Sequence, residues 1–297
     1  MTASRDSGRD RGRDTGRLLV VGTPIGNLGD LTPRAATALR DADLVVAEDT
    51  RVAARLLAHL DLRRPTISFN DHNAAQRLPE LLRRLAAGET LGLTTDAGMP
   101  GISDPGARLV AAARAAGVTI EAVPGPTAAT TAVALSGVEA PGFLFGGFLP
   151  SRPASARAAA LDRLLRAAGS VRLPLVLYEA PPRVRSLLSA LGSRQPDLQV
   201  AVCRELTKLH EEVLAGTPAD VGARLAEVRG EFVVVISSIA PPTESADGEL
   251  QAGLVAAGGR ASGLSERGVV ELLRASGLGR REAYRLAREA SSTDSRP

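Results

Sequence analysis

Five short polar runs along this chain carry residue types that could hold a small ligand or move a proton. They are Gly22-Thr-Pro-Ile-Gly26-Asn-Leu-Gly29-Asp30, Glu48-Asp49-Thr50-Arg51, Asn70-Asp71-His72-Asn73, Pro124-Gly125-Pro126-Thr127-Ala128, and the longest, from Thr95-Asp96-Ala97-Gly98 through Gly101-Ile102-Ser103-Asp104 to Gly106. Glycine lets a backbone come close to a ligand. Glu48, Asp49, Asp71 and His72 could accept a proton, and only the histidine has an unperturbed pKa near neutrality. Glu179 and Glu205 are further carboxylate candidates. Arg51, Arg204 and Lys208 could grip phosphates, a task suited to the planar fork of arginine. Taken singly each run is an ordinary turn, with Asp49 and Arg51 a surface pair and His72 a helix cap.

Several chemistries are excluded by spacing. The glycines at 22, 26 and 29 do not make GxGxxG, and Lys208 is the only lysine, so no GxxxxGK[ST] phosphate loop exists. Lys208 is likewise the sole candidate for a Schiff base. Gly101-Ile-Ser103-Asp-Pro lacks the last glycine of a nucleophile elbow. One cysteine, Cys203, and three histidines, His59, His72 and His210, stand at no recognised zinc spacing, so no metal site is expected. Cys203 reads as filler in an apolar run.

Each polar run follows a short apolar segment, at 18–21, 44–47, 66–69, 91–94 and 118–123, and leads toward a helix-period stretch. That alternation predicts a mostly parallel sheet with covering helices, and ligands bind beyond the carboxyl ends of such strands. Thr32-Pro33 marks a helix start, and Gly88 and Gly117 close helices expected over 79–87 and 108–116. A second α/β unit is expected from about 131, with strands at 143–148, 175–178, 200–204, near 213 and at 232–236, and helices at 154–168, 183–191 and 219–228. The division is therefore 1–16 a disordered arm, 17–130 and 131–238 two α/β domains, 239–261 a Pro/Ser/acid linker and 262–297 a small helical appendage. In the appendage Arg281, Arg285 and Arg288 fall on one helical face, a possible RNA contact.

Composition agrees with a folded chain: 297 residues, 44% hydrophobic, 23% charged, mean hydropathy +0.03. Thirty-six basic against thirty-three acidic residues leave +3, so any polyanion contact must be local. No run approaches the roughly 20 apolar residues of a membrane span, and residues 1–16 lack an apolar signal core. A cytoplasmic protein with no membrane association is expected.

The strings VGTPIGNLGDLTPRA, AEDTR, FNDHN, DAGMPGISDPG, VPGPTA, GGFLP, YEAPPR and RELTKLHEE occur in this order. With them the chain resembles the tetrapyrrole-methylase-type S-adenosylmethionine-dependent methyltransferases. Within that family, AEDTR and DAGMPGISDPG are similar to the branch that methylates the ribose 2′-oxygen of a cytidine in the decoding region of small-subunit ribosomal RNA. Relatives acting on porphyrins carry GxGPGD and GGDP strings, both absent here. Thr95 and Pro182 depart from the serine and histidine common in the branch.

The resemblance implies two α/β domains with S-adenosylmethionine in the cleft between them. It carries over Pro24, Asp96, Gly98, Ile102, Ser103, Thr127 and Ala128 as cofactor contacts, with Tyr178 and Phe232 from the second domain. The acceptor side would use His72, Asp71, Asp49, Glu48, Arg51, Glu205 and Lys208, and Phe69 and Phe148 are the candidates for stacking on a splayed base. Small-subunit ribosomal RNA or the 30S particle is the implied partner, and a homodimer the implied assembly. A methyltransferase of this fold acting on a small cyclic substrate, and a noncatalytic ribosome-assembly factor, remain the alternatives.

Overall fold

The computed structural model describes residues 16–237, 252, 255–256, 259–260, 262, 264–276 and 278–293. Apart from Gly16, the expected arm lies outside them, as does most of the expected linker. The chain divides into two compact units, the first holding the described residues to 168 and 173–237, the second 169–172 and the described residues from 252 on. Among the described residues no helix is long and apolar enough to cross a membrane.

The first unit contains two five-stranded sheets. In the first sheet β1 (Arg17–Val21), β2 (Leu44–Ala47), β3 (Thr66–Ser68), β4 (Thr90–Thr94) and β5 (Thr119–Val123) run in the order β3-β2-β4-β1-β5, every pair parallel. The polar runs therefore leave from a single carboxyl edge. Helices α1 (Pro33–Asp41) and α2 (Thr50–His59) pack Leu39, Leu56 and Leu57 on one face, against Leu19 and Val45. On the other face α3 (Ala74–Ala86) and α4 (Gly106–Ala115) pack Leu81, Leu85 and Leu109 against Leu18 and Leu91. Leu18 and Leu19 serve opposite faces because successive strand side chains alternate.

Two of the helices that cover the first sheet depart from expectation. The third helix begins at Ala74 instead of Pro79, since Ala74, Leu78, Leu81 and Leu85 form its buried stripe, and Pro79 sits inside it. Helix α2 is an addition to the expected elements. Its signal is present in the sequence: Asp49 caps it by accepting from the Arg51 amide at 2.8 Å, and Ala53, Leu56 and Leu57 give its buried face.

The second sheet is built by α5 (Ala128–Ser136), β6 (Leu144–Phe148), α6 (Ala154–Val171), β7 (Leu175–Glu179), α7 (Pro181–Arg194), β8 (Val200–Arg204), β9 (Glu212–Gly216), α8 (Pro218–Arg224) and β10 (Phe232–Ile236). Its order is β6-β7-β10-β8-β9, and only β6 and β7 are parallel. The last strand enters the middle, with all five residues buried, as its unbroken apolar run requires. Helix α5, capped by Thr127 and closed at Gly137 (φ +70°), places Ala129 and Ala132 in the core with Val176, Ala201, Cys203 and Val233. The expected boundary after residue 130 thus falls inside α5, whose apolar face belongs to the second sheet.

In the second unit, α9 (Glu266–Ala275) and α10 (Arg280–Thr293) bury Val269, Leu273, Ala283 and Leu286 against one another. Ala252 and Ala256, helical themselves, share that core, so the appendage begins before residue 262.

Two turns of the first sheet meet with no room to spare. A Cβ on Gly22 would lie 2.6 Å from the Gly125 nitrogen and 2.7 Å from the Met99 sulfur. Gly22→Ala should therefore cost about 1–3 kcal/mol through overpacking of backbone on backbone, whereas a Cβ at Gly142 meets nothing within 4 Å. Urea unfolding of the two alanine variants checks this; equal stabilities would show that the turns can separate.

Candidate functional site

The turn after β1 and the turn after β4 are joined by a two-way backbone bond. The Thr23 amide donates to the Gly98 carbonyl at 2.9 Å, and the Gly98 amide returns to Thr23 at 3.1 Å. Asp104 holds the rest of the β4 turn, accepting from the amides of Gly101, Ile102 and Gly106 at 2.7–3.2 Å. Gly98 has φ +83°, and a Cβ there would come within 3.4 Å of the Pro126 carbonyl. Ser103 also takes a left-handed conformation, at φ +65°. These constraints hold the β4 turn as a fixed wall.

That wall closes one side of a cavity of about 440 Å³ between the two sheets. Asp96, Gly98, Ile102, Ser103, Thr127 and Ala128 line it from the first sheet and α5, and Tyr178 and Phe232 from the second sheet. Pro24 is not on the lining; its neighbour Ile25 is. The second sheet also adds Glu179, Ala180 and Pro181 of the YEAPPR string, together with Gly230 and Val233, which no polar turn signals because they lie in or beside a buried strand.

Of the seven acceptor-side residues, only Glu48 lines the cavity. Its Oε2 accepts from the Thr95 hydroxyl at 2.8 Å, so the threonine that departs from the family pattern has a definite partner. Burial pushes the Glu48 carboxyl above its ordinary value, with the nearby Asp96 charge adding to the effect and the Thr95 bond opposing it. Asp96 is raised as well, again chiefly by burial. Its Oδ1 accepts from the Asp49 amide at 3.0 Å.

The other acceptor-side residues lie off the lining. His72 is exposed, and its amide donates to Asn70 Oδ1 at 3.2 Å. Asp71 pairs at the surface with Arg108 at 3.4 Å. Asp49 is held down at about 2 by the Arg51 guanidinium and amide, which makes it a cap and a poor base. Burial pushes Glu205 up, but the Lys208 ammonium and the Glu231 amide outweigh it and hold the carboxyl below its ordinary value. Lys208 is committed to Glu205 at 2.9 Å and Glu231 at 3.2 Å. Arg204 is similarly committed to Glu212 and Glu227. Neither cation is free for a phosphate.

Two aromatic expectations separate. Phe69 is 2% exposed within the first core and cannot stack on a base, whereas Phe148 is 56% exposed and lines the cavity, edge-on to Tyr178 at 5.4 Å. Cys203 is buried, and burial pushes its thiol up to about 12. Among the described residues no group of three or more His, Cys, Asp or Glu side chains is arranged to hold a metal.

Glu179, a possible base by sequence, has a fully buried side chain. Arg157 and Arg183 clamp it, the latter at 2.8 Å, and the Ala180 amide donates to it at 2.8 Å. It is a structural anion of the cavity wall. Glu179→Ala should cost about 2–3 kcal/mol by removing the acceptor that two partly buried arginines and the Ala180 amide share, read by chemical denaturation. A loss under about 1 kcal/mol would show that water replaces the carboxylate.

A model of the tetrapyrrole (corrin/porphyrin) methylases matches residues 17–222. The ribosomal RNA small subunit methyltransferase I of Xylella fastidiosa is 44% identical over 228 residues, 75% of this chain and 82% of that protein. The protein of the same name from Thermotoga maritima is 40% identical over 223 residues, 74% and 98% of the two chains. The crystal structure of uroporphyrin-III-C-methyltransferase from Thermus thermophilus shares the fold, with a TM-score of 0.52 at 21% identity over 76% of this chain and 96% of that one. With the match covering the whole first sheet and four of the five strands of the second, the chain belongs to the tetrapyrrole methylase family.

Proposed function

We propose that this protein is an S-adenosylmethionine-dependent methyltransferase of small-subunit ribosomal RNA, and that its target is the ribose 2′-oxygen of a cytidine in the decoding region. The observation that carries the reading is the cavity between the sheets, walled by the fixed β4 turn and open toward two carboxylates. The names of the relatives support ribosomal RNA as substrate. The AEDTR and DAGMPGISDPG strings support the finer target.

The residues present fit this cofactor. Apolar side chains of Ile25, Ile102, Phe232 and Val233 suit a nucleoside, and the Glu48 and Asp96 carboxylates suit a cation. Gly98, Ile102, Ser103, Thr127, Ala128, Tyr178 and Phe232 would hold it, with Asp96 facing its charge. When bound, S-adenosylmethionine supplies a methyl group activated by a sulfonium. Glu48 would accept the proton released by the ribose hydroxyl, because it faces the cavity with its Oε2 oriented by the Thr95 hydroxyl, whereas Asp96, the other raised carboxylate, is tied to the start of α2 through the Asp49 amide. Phe148 would stack on the splayed base, its ring being exposed at the cavity wall.

Mass-spectrometric mapping of ribose methylation in ribosomal RNA from a strain lacking the protein tests the reading directly. Loss of a single 2′-O-methylcytidine in the small subunit is the expected result; an unaltered map overturns it. Gly98→Val should abolish cofactor binding in calorimetry while the protein stays folded. Undiminished affinity would move the cofactor elsewhere.

Glu48→Gln should lower turnover by on the order of 100- to 10,000-fold with cofactor affinity nearly unchanged, while His72→Ala stays near wild type. The base must be ionised, so wild-type activity should fall as pH drops through the raised Glu48 pKa, at higher pH than an ordinary carboxylate would give. The same raised value means that ionised Glu48 opposes folding: its favourable contribution is present at low pH and lost as pH rises through the folded pKa. A pH–rate profile whose acidic limb survives in Glu48→Gln would assign the base to another group.

A further inference from the structure

Helix α2 starts at the cavity and runs away from it. The Asp49 amide donates to Asp96 Oδ1 at 3.0 Å, which ties the helix start to a carboxylate of the cavity wall. Arg51, Arg55 and His59 then follow at intervals of four, so they share one face, about 6 Å apart along the axis. All three are exposed, and so are Arg63 and Arg64 in the loop leading to β3. From Thr50 to Thr66 the chain carries four arginines against one acid, Asp61. That concentration contrasts with a net charge of only +3 for the entire protein.

These charges are largely unspent. Arg55 and Arg63 form no salt bridge with any described residue. Arg64 donates to the Arg40 carbonyl and not to a carboxylate, which draws a further exposed arginine into the patch. Arg51 forks onto Asp49, yet 87% of its side chain remains exposed. Two of the four arginines of α10 differ: Arg285 pairs with Glu282 and Glu289, and Arg288 with Glu266. Because Arg51, Arg55 and His59 follow one helix face in single file and the loop arginines continue the positive charge, the patch suits a linear polyanion better than a compact phosphate ligand.

We infer that the exposed ridge of α2 and the following loop, Arg51, Arg55, His59, Arg63 and Arg64, is the track on which the ribosomal RNA strand lies as its target nucleotide enters the cavity. The inference rests on the RNA methyltransferase reading above. The contacts are to phosphates, spaced along the helix like successive phosphates of a strand, and carry no base specificity. They would position the strand beside the cavity, leaving the choice of base to the pocket and Phe148.

The test uses full-length protein carrying Arg55→Glu and Arg63→Glu together, with 30S subunits as substrate. KM for the subunits should rise by at least about tenfold, and the slope of log affinity against log salt should fall by roughly 0.7 for each phosphate that the variant no longer grips. Turnover at saturation and cofactor affinity should stay within about twofold of wild type, since neither residue lines the cavity. The Arg55→Lys/Arg63→Lys protein should keep most of the salt slope, separating loss of charge from damage to the fold. Unchanged KM and slope in the glutamate variant, with active wild-type enzyme, overturn the ridge and leave the proposed activity standing. So does an effect found only when Arg281 and Arg288 are reversed, or a change of oligomeric state in light scattering, which would make the ridge a protein contact. A wild-type protein that methylates neither subunits nor free ribosomal RNA removes the proposed activity itself, and the ridge with it.

Discussion

Everything in the cavity depends on the close approach of two backbone turns, where Thr23 and Gly98 exchange hydrogen bonds and Gly22 lies against Gly125. In the parallel order β3-β2-β4-β1-β5 the neighbours β1 and β4 send their chains to opposite sides, and a crevice opens between their carboxyl ends. Glycine at 22 and 125 lets the turns touch, and the Asp104 carboxylate, accepting three amides, stops the β4 turn from collapsing into the space. Ile25, just beyond the bonded pair, reaches into the core of the second sheet. A single junction thus shapes the cavity and ties together the two halves that form it.

The electrostatics follow a division of labour. Charges around the cavity that could have served as phosphate grips are neutralised within the fold: Arg204 by Glu212 and Glu227, Lys208 by Glu205 and Glu231, Arg157 and Arg183 by Glu179. Glu48 and Asp96 are the exception. They face the cavity without a salt bridge, and burial raises both. An acidic pocket of this kind favours a cationic ligand and a proton acceptor, while it repels the phosphates of a nucleic acid. A strand must therefore be held outside the pocket, which is where the unspent arginines of α2 lie.

The strands and their polar turns are legible in the residues because their signals are local. A buried parallel strand is an apolar run of about five residues, and a turn that closes on it needs Gly, Pro, Asp or Thr at particular offsets. The DAGMPGISDPG turn is accordingly a candidate site wall from its residues, and Asp96, Ala97, Gly98, Met99, Ile102 and Ser103 of it line the cavity. The start of α3 is hidden because Pro79 is a strong local signal, whereas the buried stripe from Ala74 to Leu85 exists only against the sheet. Helix α5 is obscured for a similar reason: small residues such as Ala129 and Ala132 show little periodic contrast until a second sheet covers them.

Residue types alone thus determined which turns could do chemistry and which chemistries were excluded, since the lone lysine and scattered histidines are facts of composition. Tertiary structure decided which charged groups remain available. Along the chain His72 stands ahead of Glu48 by the ordinary pKa of a histidine, yet it is exposed beyond the cavity, whereas the half-buried Glu48 lines the cavity beside Thr95. Phe69, just after β3, and Phe148, the last residue of β6, likewise stand at strand ends, and only the second escapes the core. The reason is physical. Protonation and stacking depend on burial and on partners tens of residues away, and those separations close only when strands far apart in sequence become neighbours in a sheet.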